Sequence, residues 1–231
     1  MKMNAYVAGV GMTRFGKHME TTLKALAGEA IAEALADAGI EAGAIEAAYM
    51  ANAAGGVVQG QEMISGQVAL RELGIGRIPV INLENACASS STAFNQAATM
   101  VSLGACDVAL VCGFEKLFHE DKRRTFAAFD GAVDTDNPQG LAGTLQILAE
   151  KAGEEVDQEN AGVTRSVFMD IYSLLAKAHM KQYGTTREQF AGVTVKNSFH
   201  GSQLLPVKFR GPTLERPDNA LHGIIEEQRC C

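Results

Sequence analysis

Residues 80–94 read Val-Ile-Asn-Leu-Glu-Asn-Ala-Cys-Ala-Ser-Ser-Ser-Thr-Ala-Phe and place one cysteine, Cys87, between two different periodicities. The residues before Cys87 form a short apolar, β-branched run of the kind that favours a strand. After it, apolar residues recur at helical spacing until Gly104, and glycine commonly ends a helix. The sequence therefore predicts that Cys87 lies at a strand-to-helix turn, close to the helix N-terminus.

This predicted position of Cys87 suits a nucleophile. Unpaired backbone N–H groups and the positive end of the helix dipole favour a thiolate and could also hold an oxyanion. The side chains at positions 86 and 88–91 are small, which permits close approach by a substrate. A helix terminus contributes only about 0.3–2 kcal/mol, so the thiol also needs a nearby base. The alternative is that Cys87 packs in the core as a small hydrophobic residue, as unpaired cysteines often do.

Strand-like and helical segments alternate on both sides of this turn. The predicted strands lie at residues 6–10, at 45–52, from Val80 toward Cys87, and at 107–113. The predicted helices span residues 23–38, between a cap at Thr21 or Thr22 and Gly39, then a stretch from Met63 to Leu73, then the residues after Cys87. Strands that alternate with helices indicate an α/β layered domain.

Two glycines follow the first predicted strand. Gly9-Val-Gly11 resembles the start of a dinucleotide-binding turn, but Arg14 stands where the third glycine of that fingerprint would fall. The better interpretation is a tight turn after the first strand.

The character of the chain changes at residue 116. Residues 115–124 are charged, and residues 126–138 are rich in Asp, Gly and Asn. The favoured interpretation is a solvated loop, and the alternative is a site for ligand phosphates. The cations available for such a site are Lys116, Lys122, Arg123 and Arg124.

Helices are predicted beyond this region at residues 140–153 and 164–183, and a capping box at Thr185-Thr-Arg-Glu188 starts another. We therefore expect an α/β core at residues 1–115, a mainly helical loop or lid region at 116–202, and an irregular tail at 203–231. Prolines interrupt that tail, and its end has no apolar periodicity.

Composition narrows the function classes. The 231 residues carry a formal net charge of −7, which argues against a general nucleic-acid or anionic-membrane surface. The sequence has no leader-like segment and no apolar run of about 18 residues, so we expect a cytoplasmic protein. Its five cysteines are an odd number without a C-x-x-C pair, so no metal or redox site is predicted. Cys106 and Cys112 are predicted core residues, and Cys230 and Cys231 belong to the tail.

Several motifs resemble the thiolase superfamily, and most closely the sterol-carrier-protein-type thiolases and acetyl-CoA acetyltransferases. The resemblance covers about residues 5–202. Its most specific part is Asn85-Ala-Cys-Ala-Ser89. The other matching stretches are Gly9-Val-Gly-Met-Thr-Arg-Phe-Gly16, Gly60-Gln61, Leu70-Arg-Glu-Leu-Gly74, Pro79-Val-Ile-Asn-Leu-Glu84, Asp107-Val-Ala-Leu-Val-Cys-Gly-Phe-Glu-Lys116 and Val195-Lys-Asn197. Ser90 is a departure, since glycine is usual there.

The resemblance implies that Cys87 accepts an acyl group from a CoA thioester, for 3-oxoacyl-CoA cleavage or Claisen condensation in lipid metabolism. It implies no permanently bound cofactor, with CoA thioesters as substrates, and a homodimer or a complementing C-terminal thiolase chain. Family members have a second α/β half that carries a Gly-His-Pro histidine and a Cys-x-Gly cysteine, and neither motif occurs in this sequence. No CoA-binding residue is assigned.

Three functions follow from these observations. The leading one is a thiolase-type acyltransferase represented by its N-terminal part. The others are a noncatalytic acyl-CoA-binding or assembly subunit, and an inactive truncated thiolase. No catalytic role is assigned to any of the histidines, which are His18, His119, His179, His200 and His222.

Overall fold

The structure is a computed structural model, and it describes residues 3–156 and 166–204. The chain divides into two compact units, with the division after Ala128. The first unit contains the sheet, and the described part of the second is helical. Most of the predicted tail, from residue 205 onward, lies outside the described residues, so the predicted domain limits stay predictions.

The sheet of the first unit has three parallel strands in the order β2-β1-β3. β1 (Ala47–Ala51) lies in the centre, with β2 (Val80–Leu83) on one side and β3 (Ala109–Gly113) on the other. Parallel strands need crossover connections, and here helices supply them. The predicted strands at 45–52, 80–86 and 107–113 are thus confirmed, with shorter bounds.

Helices pack on both faces of this sheet. α1 (Leu23–Ala38) and α3 (Ser65–Arg71) lie on one face, and α4 (Ser89–Ser102) lies on the other. The short helix α2 (Gly55–Gln59) follows β1 in the chain. α1 and α3 share one apolar cluster with Ala48 and Met50 of β1, whereas α4 shares a second cluster with Tyr49. Because successive strand residues point to opposite faces, the two clusters lie on opposite sides of the sheet. The predicted α/β layered class is confirmed.

α1 begins and ends where the sequence predicts. The Thr22 hydroxyl oxygen accepts a hydrogen bond from the Ala25 N–H at 3.3 Å, as an N-cap residue does. Gly39 closes the helix in the left-handed conformation, with φ of 66°.

The predicted first strand is wrong. Residues 6–10 belong to no strand of the described sheet. Gly9 lies so close to α1 that a Cβ atom there would overlap the Ala34 carbonyl oxygen, and Gly11 meets the Ala30 carbonyl oxygen in the same way. The two glycines therefore let the segment pack directly on the helix backbone, which a tight turn would not require. The Val10 N–H donates to Asp37 Oδ2 at 2.9 Å, so a side chain of α1 also satisfies one backbone group of residues 6–10.

The charged region contains a helix, α5 (Lys122–Asp130), where the sequence predicts a solvated loop. Asp121 explains its start, because its Oδ1 accepts from the Arg123 N–H at 3.1 Å and its carbonyl accepts from the Arg124 N–H. This is the capping role that aspartate favours. A charged stretch with a good N-cap forms a helix here despite its weak apolar pattern.

The second unit contains α6 (Pro138–Ala152), α7 (Val167–Tyr183) and α8 (Arg187–Leu204). α6 and α7 pack against each other, and each buries one residue, Ala149 and Leu174. Thr186 and Gln189 exchange hydrogen bonds ahead of α8, so the capping box lies one residue after its predicted position. Within residues 3–156 and 166–204, none of the helices combines the length and apolar character needed to cross a bilayer.

The packing of residues 6–10 on α1 yields a stability prediction. Gly9→Ala should lower the free energy of unfolding by about 1–3 kcal/mol, because the new methyl group can be accommodated only if backbone moves. Gly43→Ala is the matched control, since a Cβ there meets no atom within 4 Å. Urea denaturation of both variants measures the difference, and equal midpoints would contradict the described packing.

Candidate active site

Cys87 lies in the connection between β2 and α4, as predicted. A single 3-10 turn, Ala86–Ala88, joins the strand to the helix that begins at Ser89. The backbone is strained just before the cysteine, because Ala86 has φ of 45°, which residues with a Cβ rarely adopt. The connection therefore reverses direction sharply at the residue that precedes the thiol.

The Cys87 side chain is exposed. This differs from Cys112, which is buried in β3, and from Cys106, which is half-buried. Burial raises the pKa of Cys112 to about 12, and burial together with the Glu46 and Asp107 carboxylates raises the pKa of Cys106. The core role predicted for Cys112 agrees with its position, and the core alternative for Cys87 does not fit an exposed side chain.

One buried hydroxyl holds the turn together. Ser89 is 4% exposed, and its Oγ accepts from the Asn85 N–H at 2.8 Å and donates to the Ala86 carbonyl at 2.7 Å. The Ser89 N–H donates to the same Ala86 carbonyl. Both backbone groups that flank the strained residue are thus fixed by a single side chain. In the sequence, Ser89 is distinguished only by its small size.

Most backbone N–H groups of the turn already have protein acceptors. The Asn85 N–H donates to Ser89 Oγ, and the Ala86 N–H donates to Glu84 Oε1. The Ala88 N–H donates to the Asn85 carbonyl, and the Ser89 N–H donates to the Ala86 carbonyl. Among the described residues, the N–H of Cys87 itself has no such acceptor. Within residues 85–89, the N–H of Cys87 is therefore the group available to a ligand at the thiol.

The start of α4 also contacts the end of β3. A Cβ atom at Gly113 would overlap Ser90 Oγ as it is placed, so the glycine lets the two elements approach closely. Asn85 adds a further tie between turn and helix, because its Nδ2 donates to Thr92 Oγ1 at 2.9 Å. The turn that carries Cys87 is therefore held by α4 on one side and meets the sheet on the other.

The four cations considered for phosphate binding mostly contact protein groups. Lys116 Nζ donates to the Thr21 carbonyl at 2.8 Å, and Arg123 forms two hydrogen bonds of 2.9 Å with Asp121. Those hydrogen bonds from Arg123 lower the pKa of Asp121 to about 2. Arg124 reaches the Val58 carbonyl at 3.5 Å. The structure gives these side chains structural contacts, and their phosphate role stays a prediction.

The described histidines contact groups other than Cys87. His18 Nε2 lies 2.5 Å from the Arg14 carbonyl, and His119 Nδ1 accepts from the Asp121 N–H at 3.0 Å. His179 stacks on Tyr183 with ring centroids 4.7 Å apart, and His200 meets the neighbouring Phe199 ring. His222 lies outside the described residues, as do Cys230 and Cys231. Within the described ranges, no group of three or more potential metal-ligating side chains occurs.

Comparison with known proteins gives consistent matches. The family model for "Thiolase, N-terminal domain" matches residues 5–204. Sterol carrier protein 2 of Gallus gallus is 34% identical over 204 residues, which are 87% of this chain and 34% of that protein. An acetyl-CoA acetyltransferase of Methanothermobacter thermautotrophicus is 31% identical over 196 residues, covering 85% of this chain and 44% of that protein.

A solved structure described as "Ltp2-ChsH2(DUF35) aldolase" has a similar fold, with a TM-score of 0.56 and 22% identity. The match covers 88% of this chain and 46% of that one. The chain thus spans between about a third and a half of the length of these relatives.

The strain at Ala86 can be tested by substitution. Ala86→Gly should stabilise the protein by about 0.5–1 kcal/mol, because glycine avoids a left-handed penalty of about 1–2 kcal/mol and loses part of that gain through greater unfolded-state freedom. Ala88→Gly is the control, since its φ of −96° suits alanine, and it should destabilise the protein. Denaturation midpoints measure both effects. A loss of stability in Ala86→Gly equal to that in Ala88→Gly would refute the strained turn.

Thiol accessibility provides a second test. Iodoacetamide at neutral pH should label Cys87 in the folded protein, whereas Cys112 should be labelled only after unfolding, because burial both shields its sulfur and raises its pKa to about 12. Peptide mapping by mass spectrometry assigns the labelled sites. Rapid labelling of Cys112 before Cys87 would contradict the described burial.

Proposed function

The chain belongs to the thiolase family, whose N-terminal domain it carries, and on that premise we propose that it takes part in acyl transfer from CoA thioesters through a covalent acyl-cysteine at Cys87. One observation carries the proposal. Cys87 is an exposed thiol on a rigidly held turn at the start of a helix, within the Asn85-Ala-Cys-Ala-Ser89 motif.

The proposed step begins with loss of the Cys87 thiol proton to a base. The thiolate attacks the carbonyl carbon of the acyl-CoA thioester, and the carbonyl electron pair moves onto oxygen to give a tetrahedral oxyanion. The backbone N–H of Cys87 is the donor that this chain offers to the oxyanion. Collapse of the intermediate expels the CoA thiolate, which takes up a proton, and leaves the acyl group on the sulfur.

A second polypeptide region must complete the cycle. Residues 1–231 contain no Gly-His-Pro or Cys-x-Gly motif, so the family's histidine base and its second cysteine are not among them. We infer that these groups come from a complementing C-terminal thiolase chain or region, and that the assembled protein is a dimer in the cytoplasm. Synthesis and cleavage of 3-oxoacyl-CoA use the same acyl-cysteine in opposite directions.

A noncatalytic role in acyl-CoA binding or assembly is the second candidate, because the second set of catalytic motifs is absent from this sequence. The two candidates differ in what they require of the thiol. Acyl transfer needs the Cys87 sulfur, whereas binding or assembly needs only the surface around it.

Acylation of the thiol separates them. Incubation with acetyl-CoA, alone and with the co-expressed C-terminal part of the Methanothermobacter acetyl-CoA acetyltransferase, should place an acetyl group on Cys87, detected by mass spectrometry of the intact chain and its peptides. We expect Cys87→Ala to lose the adduct and Cys106→Ala to keep it, because Cys106 is half-buried with a raised pKa.

If no adduct forms on Cys87 under either condition, acyl transfer by this chain is refuted. Retention of acyl-CoA binding by Cys87→Ala in that case would favour the noncatalytic role.

A further inference from the structure

Glu84 follows β2 directly, and its carboxylate contacts the backbone of the turn that carries Cys87. Its Oε1 accepts from the Ala86 N–H at 2.5 Å. Among the described residues, this is the one side-chain hydrogen bond of Glu84, and no lysine or arginine there forms an ion pair with it. The charge of Glu84 is therefore directed at the backbone beside the nucleophile rather than at another side chain.

Two hydrogen bonds hold the peptide group that precedes Ala86. Its N–H donates to Glu84, and its carbonyl, which belongs to Asn85, accepts from the Ala88 N–H at 2.9 Å. The N–H and the carbonyl of a trans peptide point in opposite directions, so the two contacts hold both sides of one plane. Glu84 thus fixes one of the two peptide groups that meet at the left-handed residue.

The peptide group that follows Ala86 carries the Cys87 N–H. Its carbonyl accepts from Ser89 Oγ at 2.7 Å and from the Ser89 N–H. Because the N–H lies on the opposite side of this plane, the Cys87 N–H points away from Ser89 and the start of α4. Its direction therefore depends on the conformation of Ala86, the residue at which the two peptide groups join.

The left-handed conformation of Ala86 needs these contacts, because a strained residue persists only where its surroundings hold it. Without the carboxylate, the peptide before Ala86 keeps only its bond to Ala88, and Ala86 is free to relax toward the ordinary negative φ region. Such relaxation rotates the two peptide planes relative to each other. The Cys87 N–H then loses its fixed direction.

We propose that Glu84 is a positioning residue for acyl transfer, whose carboxylate holds the strained Ala86 so that the Cys87 N–H is aimed at the developing oxyanion. This rests on the proposed function, because it concerns the tetrahedral intermediate at Cys87. A donor that is aligned before the reaction needs no reorganisation as charge develops on the oxygen. A carboxylate also accepts a backbone hydrogen bond more strongly than a neutral group does, which suits glutamate to this task.

A role of Glu84 as the base that removes the thiol proton fits less well. A glutamate carboxylate is ordinarily a much weaker base than a thiolate, so the proton transfer would be unfavourable. The described contact of Glu84 is to an amide N–H and not to the sulfur.

Two reagents separate the aim of the Cys87 N–H from the reactivity of the thiol. p-Nitrophenyl acetate acylates a thiolate through a tetrahedral oxyanion and releases p-nitrophenolate. Iodoacetamide alkylates the same sulfur by direct displacement of iodide, so no oxyanion forms. Both reactions use the full chain at about pH 9, where ordinary cysteine thiols ionise without an added base. Peptide mapping by mass spectrometry gives the rate of each reaction at Cys87.

Substitution of Glu84 should change the ratio of these two rates. Glu84→Ala should slow acylation about tenfold relative to alkylation, a smaller loss than removal of an oxyanion donor causes. Glu84→Gln keeps an acceptor oxygen at the same reach, and its ratio should stay within about threefold of the unsubstituted chain. Glu41→Ala is the matched control and should leave the ratio unchanged. Glu41 is also an exposed glutamate ahead of a 3-10 turn, but its side chain makes no capping hydrogen bond.

Equal loss of acylation and alkylation, an unchanged ratio in Glu84→Ala, or an equally large loss in Glu84→Gln would each overturn the proposal. Thermal melts show whether the variants are folded, and Glu84→Met, which has a similar length and no strong acceptor, replaces Glu84→Ala if that variant does not fold. If neither folds, Glu84 supports the fold as a whole, and the proposal is overturned as well.

The ester test does not depend on recognition of CoA or on a complementing chain. Absence of an acetyl adduct from acetyl-CoA refutes acyl transfer by this chain, whereas the ratio of the two rates reports only on the Cys87 N–H. Failure of the proposed function and failure of the role of Glu84 are thus separate results.

Discussion

The burial of β1 between two helical layers is the constraint on which the described α/β unit depends. All five residues of this central strand are buried, and three of them are alanine. Their small side chains let helices on both faces come close, and a Cβ added to Gly66 of α3 would lie only 2.5 Å from the Met50 Cβ. β2 pairs with β1, and α4 packs on β1. The chain segment between β2 and α4 is therefore fixed at both ends. That segment carries Cys87.

The short connection between these fixed ends explains the strain beside the thiol. The chain leaves β2 at Leu83 and must begin α4 at Ser89, which forces the left-handed conformation at Ala86. The buried Ser89 hydroxyl offsets part of this cost, since it bonds to backbone groups on both sides of the strained residue. The result is a rigid backbone with an exposed sulfur. A nucleophile benefits from this combination because its position is set before the substrate arrives.

The sequence predicts the bounds of helices and strands where the apolar periodicity and the capping residues agree. It predicts local structure less well where contacts between distant residues determine the backbone conformation. α1 and the three strands were predictable because their apolar patterns and terminal residues point to the same bounds. The left-handed conformation of Ala86 was not predictable, since alanine has no preference for that conformation. Residues 6–10 were mistaken for a strand because their apolar pattern is strand-like, while their glycines serve close packing on α1. The structural role of Ser89 depends on a turn geometry that no spacing encodes.

Gly113 brings the end of β3 next to the helix start that follows Cys87. A Cβ atom at Gly113 would overlap Ser90 Oγ and lie 3.0 Å from Ser90 Cβ. The glycine at 113 leaves room for the Ser90 side chain. Any shift at the end of β3 therefore reaches the first turn of α4, three residues after Cys87. A larger side chain at residue 113 would require the end of β3 or the start of α4 to move, so this contact ties the sheet to the turn that carries the thiol.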